Sequence, residues 1–260
     1  MRVRSLGFRT DLMVLALGGS EIAARENHVV VRTPANPTYW WGNFILFAEP
    51  VAAGEVPIRR ELFRNELPGA AHMAWGIDST DGDAGAEDEL VAAGFSVGRD
   101  TVLTTTELRP PPRPTAATLR PLEGGGDWEQ ALELRMAWAG GEGVTPEFLA
   151  AQVAQARELC ERGRAVWYGA FEGDRLRSAL GLVTDCRLAR YQTIETHPDA
   201  RRRGLASALV HHAGRAALEQ GTRTLVIVAD PGYHAIGLYR SLGFDDTETQ
   251  VQLTRPPSAS

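Results

Sequence analysis

The sequence predicts an α/β protein with a mixed sheet, built in two domains. Three observations carry that prediction. Residues 115–254 read strand and helix in turn, the order of a sheet covered by helices. The unbroken apolar run Leu225-Val-Ile-Val-Ala229 follows a long amphipathic segment, as a buried parallel strand does. Four prolines between positions 110 and 114 divide the 260-residue chain, because proline lacks an amide donor and fixes φ. The domains are therefore placed at 1–108 and 115–254. Residues 109–114 form a stiff linker, and 255–260 a frayed tail.

In the second half, Thr118–Leu122 reads as a short strand and Trp128–Trp138 and Pro146–Glu161 as helices. The second helix carries Phe148, Val153 and Leu159 among good helix formers. Ala165–Phe171 and Ser178–Thr184 flank Glu172-Gly173-Asp174 as a hairpin. Arg187–Thr196 is a longer strand. Arg202–Gln220 is a helix stopped by Gly221. After the strand Leu225–Ala229 come a short helix, Tyr233–Ser241, and a last strand, Glu248–Leu253.

Composition narrows the chemistry. All 27 basic residues are arginine. Without lysine there is no P-loop, no Schiff base and no lysine base. Together with abundant Ala, Gly and Pro, it suggests a high-GC bacterial genome. The net charge is −6; residues 1–108 hold 9 Arg against 15 acids, and 116–260 hold 16 against 18. An acidic chain argues against nucleic-acid binding. No apolar stretch suits a signal peptide or a membrane span. Cys160 and Cys186 read as free thiols in a reducing compartment. The expectation is a cytoplasmic protein.

The two halves share a pattern. Leu90-Val-Ala-Ala-Gly-Phe95 precedes the strand Thr101–Leu108, as Tyr239-Arg-Ser-Leu-Gly-Phe244 precedes Glu248–Leu253. Upstream, Met73-Ala-Trp-Gly-Ile-Asp78 parallels Val226-Ile-Val-Ala-Asp230. Both units read strand, Asp, short helix, Gly-Phe, strand.

The segment richest in chemistry is Ile194-Glu-Thr-His-Pro-Asp-Ala-Arg-Arg-Arg-Gly-Leu-Ala206. Arg201, Arg202 and Arg203 open a helix beside Gly204, Leu205 and Ala206. A helix start offers unpaired N–H groups and the positive end of its dipole. Gly204 lets a phosphate approach the backbone, and guanidinium adds forked donors. On charge alone, a solvated turn that caps the helix fits as well.

The spacing Arg201-x-x-Gly204-x-Ala206, after a strand and Thr196-x-Pro198, resembles the acetyl-CoA signature of the GNAT N-acetyltransferase superfamily. Ala235-x-x-Leu238-Tyr239-x-x-x-Gly243-Phe244 is similar to that family's second conserved helix. The resemblance covers about 115–254 and implies a GNAT fold there. It implies that the backbone of Ile194, Glu195 and Thr196 pairs with pantetheine, and that Arg201–Ala206 hold the pyrophosphate. It implies Tyr239 as the acid that protonates departing thiolate, against a tyrosine simply packed on the core. The family has Asn where this chain has Gly232, which leaves one hydrogen bond to pantetheine without its donor. Glu195 is the first candidate for the base; its other reading is a carboxylate balancing Arg201–Arg203. Simple alternation puts Tyr191, Thr193 and Glu195 on one side of the strand, and a bulge would reassign them. His197, His211, His212 and His234 lack metal-ligand spacing, so no metal is expected.

Against that template the first half reads as a partial, degenerate copy. Asn43–Glu49 takes the place of Arg187–Thr196, and Pro57–Leu67 that of Arg202–Gln220. The junction Pro50–Pro57 lacks Arg-x-x-Gly-x-Ala, and Leu90 stands at the tyrosine position. Tandem members of the superfamily with one active and one degenerate half, mycothiol synthase-like enzymes among them, are similar in plan. Tyr39-Trp40-Trp41 reads either as the wall of a substrate pocket or as packing at the domain interface, as do Trp128 and Trp138.

The resemblance thus implies acetyl-CoA-dependent acetyl transfer to a small-molecule or peptide amine, by direct attack on the thioester. The acidic first half suits a cationic amine, and a homodimer is compatible with the sequence. The rival expectation is a non-catalytic CoA-binding sensor or structural partner, motivated by Gly232.

Overall fold

A computed structural model describes residues 1–138, 145–185 and 187–257. Cys186 and the last three residues of the expected tail lie outside these. The first half comprises α1 (Leu6–Leu17), β1 (Glu21–Ala24), β2 (His28–Arg32), β3 (Phe44–Phe47), α2 (Val56–Glu66), β4 (Met73–Ile77), α3 (Glu87–Ala92) and β5 (Ser96–Thr105). The second comprises β6 (Thr118–Pro121), α4 (Gly124–Trp138), α5 (Pro146–Glu161), β7 (Ala165–Glu172), β8 (Arg175–Asp185) and β9 (Leu188–Thr196). It continues with α6 (Leu205–Glu219), β10 (Thr224–Ala229), α7 (Ala235–Ser241) and β11 (Asp245–Arg255). The expected α/β class with a mixed sheet is what forms. Among the described residues no helix is long and apolar enough to cross a membrane.

The chain packs as two compact units, and they do not divide at the prolines. The first is Met1–Val102, Val228–Tyr233 and Asp246–Ser260; the second is Leu103–Ile227 and His234–Asp245. The reason is strand pairing. The last strand, β11, lies antiparallel to β4, from Val251 opposite Ile77 to Arg255 opposite Met73. In the first unit the strands run β1-β2-β3-β4-β11-β5.

Alternation along these strands builds two core layers. Val29, Val31, Phe44, Leu46 and Ala74 face α1 through Phe8. Gly76 makes room for that ring, since a Cβ there would come within 2.6 Å of Phe8. The alternate residues Val30, Ile45, Phe47, Met73, Trp75 and Ile77 pack with Phe63 of α2 and Leu90 of α3. Trp40 and Trp41 lean on the Phe8 layer, Trp40 stacked on His72 at 5.2 Å. They are packing residues of the first unit. The start of α1 is held by two carboxylates. Asp78 accepts from the Arg4 and Ser5 amides, and Glu248 of β11 from the Leu6 amide, each at 2.8 Å. These anions meet the positive end of the helix dipole.

The second unit orders its strands β10-β9-β8-β7-β6. On one face Trp128 and Leu134 of α4 and Ala156 of α5 pack with Leu122, Phe171 and Ala179. Helix α6 supplies the other layer: Tyr191 Oη donates to the Val210 carbonyl at 2.8 Å, and Tyr168 meets the His212 ring edge-on.

The sequence repeat is a geometric repeat. After α3, Gly94 takes φ 84° and the Phe95 amide donates back to the Leu90 carbonyl at 3.0 Å. After α7, Gly243 takes φ 95° and the Phe244 amide donates to the Tyr239 carbonyl at 3.2 Å. Both are the same left-handed glycine cap, which closes the helix and turns the chain into the next strand.

Candidate active site

Three features of the second unit meet at the C-terminal half of β9. The first is a split. β9 and β10 pair in parallel only from Leu188–Thr224 to Arg190–Val226. Residues 191–196 keep β8 on one side. Their other edge, beyond Arg190, has no pairing with β10.

The second feature is a bulge. Thr193 takes φ 52°, and the β8–β9 register slips between Ala179 and Gly181. An extra residue in a strand reverses the side on which later residues fall. Tyr191 faces α6, but Glu195 lies opposite Ala179 and faces α4. Simple alternation, which keeps Tyr191 and Glu195 together, does not hold here. Glu195 is 4% exposed and pairs with Arg135 of α4, whose other terminal nitrogen donates to Gln152 Oε1 of α5 at 2.9 Å. Burial pushes the Glu195 carboxyl above its ordinary range, and Arg135 pulls the other way. The arginines after β9 are not its partners: Arg203 pairs with Glu172 instead.

The third feature is the turn into α6. His197 caps a short 3-10 turn, Pro198–Ala200, its Nδ1 accepting from the Asp199 amide at 3.3 Å. It is a loop residue. Arg202 then takes φ 62° and Gly204 φ 83°. The two left-handed residues postpone the helix to Leu205, three residues later than the sequence suggests. Arg201, Arg202 and Arg203 are exposed, and Ala206 sits in the first turn. The Arg202 carbonyl is held by Arg113 Nη1 at 3.1 Å. The first-turn amides of a helix have no intrahelical acceptors, and Gly204 as the N-cap gives α6 no side-chain cap.

Residues 128–244 match the model of the family described as acetyltransferase (GNAT). This segment is a GNAT-family domain. The match spans the split, the bulge, the arginine turn and α7. No curated protein matches the chain. Among solved structures, it is similar to a functionally unknown conserved protein from Staphylococcus epidermidis (TM-score 0.76, 11% identity, 92% of this chain and 95% of that one). It is also similar to a GCN5-related N-acetyltransferase from Kribbella flavida (TM-score 0.69, 18% identity, 97% and 96%). A third is a tandem GNAT protein from the clavulanic acid biosynthesis pathway (TM-score 0.58, 15% identity, 95% and 88%). At such identities the likeness is one of fold, and it runs along nearly the whole chain.

Within the GNAT domain, Tyr239 is buried on α7, its ring edge-on to Phe244 at 6.5 Å. Ala235 begins that helix. The Gly232 amide donates to Asp230 Oδ1 at 2.7 Å, so this loop closes on its own aspartate. Trp128 is core, whereas Trp138 at the end of α4 is 39% exposed. Among the described residues no cluster of three His, Cys, Asp or Glu side chains could hold a metal ion. Sequence reasoning missed Arg135 and Gln152. An arginine among alanines and leucines on a helix carries no signal until β9 is placed opposite it.

The corresponding place in the first unit is filled. β3 and β4 pair from Ile45–Trp75 to Phe47–Ile77, and the Asp78 amide donates to the Phe47 carbonyl at 2.8 Å. Val51 then exchanges backbone hydrogen bonds with Ala84 and Ala86. Where α6 of the second unit starts at Gly204 with no side-chain cap, here the Gly54 amide donates to Glu89 at 2.9 Å and the Ala52 amide to Glu55 at 3.2 Å.

Proposed function

We propose that the chain is an acetyl-CoA-dependent N-acetyltransferase whose chemistry resides in the GNAT domain. The observation that carries this reading is the split beyond Arg190 and Val226, next to the start of α6, which has no side-chain cap. An open strand edge suits the amides of a pantetheine arm, and a helix start with left-handed Gly204 suits a diphosphate. A Cβ at Gly204 would press on Arg113 at 3.3 Å. Ile194, Glu195 and Thr196 would offer that edge. Arg201, Arg202, Arg203, Gly204, Leu205 and Ala206 would hold the phosphates, with Ala235 beside the arm. Acetyl-CoA supplies the electrophilic thioester. Glu195 takes the proton lost by the attacking amine, directly or through water, and Tyr239 gives its hydroxyl proton to the leaving sulfur. The acceptor is a small-molecule or peptide amine. The first unit, its corresponding edge and amides occupied by its own residues, is the degenerate half of a tandem protein.

Acetyl-CoA raises the melting temperature of the wild type, and Tyr239→Phe lowers turnover by about 10²–10⁴-fold at equal affinity. No thermal shift with acetyl-CoA sinks the reading. A second reading, CoA binding without turnover, is favoured by the pairing of Glu195 with Arg135. It predicts the same thermal shift with no acceptor-stimulated release of CoA from a panel of amines.

A further inference from the structure

We propose that Arg135 is a positioning residue for acetyl transfer: it holds the Glu195 carboxylate beside the open edge of β9 and ties it to α4 and α5. The proposal rests on Glu195 as the base. One arm of the Arg135 fork meets Glu195, the other meets Gln152 of α5, and the Trp138 ring lies 5.7 Å from the guanidinium carbon. The Arg135 side chain is 18% exposed, so both charges stand largely out of water, where each depends on the other. Arginine suits the task because its planar fork serves two acceptors in fixed directions.

The surroundings leave this role to Arg135. Ala179 faces Glu195 from β8, neutral Gln152 comes from α5, and Ser178 Oγ donates to the Glu195 backbone carbonyl at 2.6 Å. Among the described residues, Arg135 is the one charged group acting on the carboxylate. Burial favours the protonated acid and Arg135 the anion. Removing the guanidinium leaves burial alone, so the carboxyl then binds its proton more tightly. Because Arg135 also grips α5, any shift of α5 against α4 is felt at the base.

The test is a pH titration of full-length protein by isotope-edited infrared spectroscopy, with Glu195→Gln as the blank that isolates the Glu195 band. In Arg135→Gln the midpoint rises by at least roughly one pH unit, a tenfold gain in proton affinity. Arg135→Lys restores most of it. An unchanged midpoint in Arg135→Gln overturns the proposal. Should Arg135→Gln not fold, Gln152→Ala is titrated instead: a displaced midpoint supports the proposal and an unchanged one overturns it. A second arm follows acetyl transfer to spermidine across pH. The acid limb of kcat/KM moves with the infrared midpoint in the Arg135 variants. Equal turnover by wild type and Glu195→Gln overturns the base reading and with it the role in acetyl transfer, whereas a shifted midpoint in that case shows Arg135 setting the Glu195 carboxyl without a part in turnover.

Discussion

The bulge at Thr193 is a place where a single substitution should stabilise the protein. A β-branched side chain at φ 52° sits in the left-handed region, where its Cβ crowds the backbone. Such strain costs roughly 1–3 kcal/mol. The Thr193 side chain is exposed, so replacing it forfeits little packing. Asparagine tolerates the left-handed region and adds no backbone freedom to the unfolded chain. Thr193→Asn therefore gains about 1 kcal/mol or more. Glycine relieves the strain fully but gives back about 0.5–1 kcal/mol in entropy, and alanine falls between threonine and asparagine. For a protein of this size each kcal/mol moves the melting temperature by roughly 2–4 °C. Scanning calorimetry, with urea unfolding at constant m-value, reads the order Asn, Ala, Thr. Because the bulge persists, Glu195 keeps its side of the strand and turnover is unchanged. A Thr193→Asn protein that melts below wild type would refute the strain argument.

Two other outcomes follow from the structure. A Cβ at Gly85 would lie 2.1 Å from the Val51 carbonyl oxygen at φ 86°; Gly85→Ala should cost about 2–5 kcal/mol from combined backbone strain and overpacking, and a urea midpoint equal to wild type would contradict it. Burial pushes the Cys160 thiol up to about 11; in a Cys186→Ser background at pH 8, iodoacetamide should alkylate folded Cys160 on the order of a hundredfold more slowly than urea-unfolded chain, since the thiolate is the nucleophile, and equal rates would refute the shift.

What the sequence disclosed followed the range of its signals. Local periodicity and stop signals placed α4 and α5 and the strands of the second half to within a few residues, because those elements depend on their own residues. The arginine turn was legible because its glycine and arginines are adjacent. Helix α1 and the β1–β2 hairpin went unread: α1 has apolar residues nearly all round, and the hairpin strands are only four and five residues long. Which way Glu195 points could not be read from period-two alternation, since one left-handed threonine inverts it. Arg135 and the place of β11 were out of reach for another reason. Both depend on partners at a distance in the chain: 60 residues separate Arg135 from Glu195, and well over a hundred separate β4 from β11.

That last separation matters while the protein is being made. Translation delivers residues one after another, at roughly 5–20 per second. β4 leaves the ribosome well before its neighbour β11, which is encoded more than a hundred residues later. Until then β4, whose residues are all buried in the finished protein, offers nascent chains an unpaired apolar edge of the kind that invites aggregation. A stop codon ahead of β11 would therefore strike the first unit even though residues 1–102 are encoded intact.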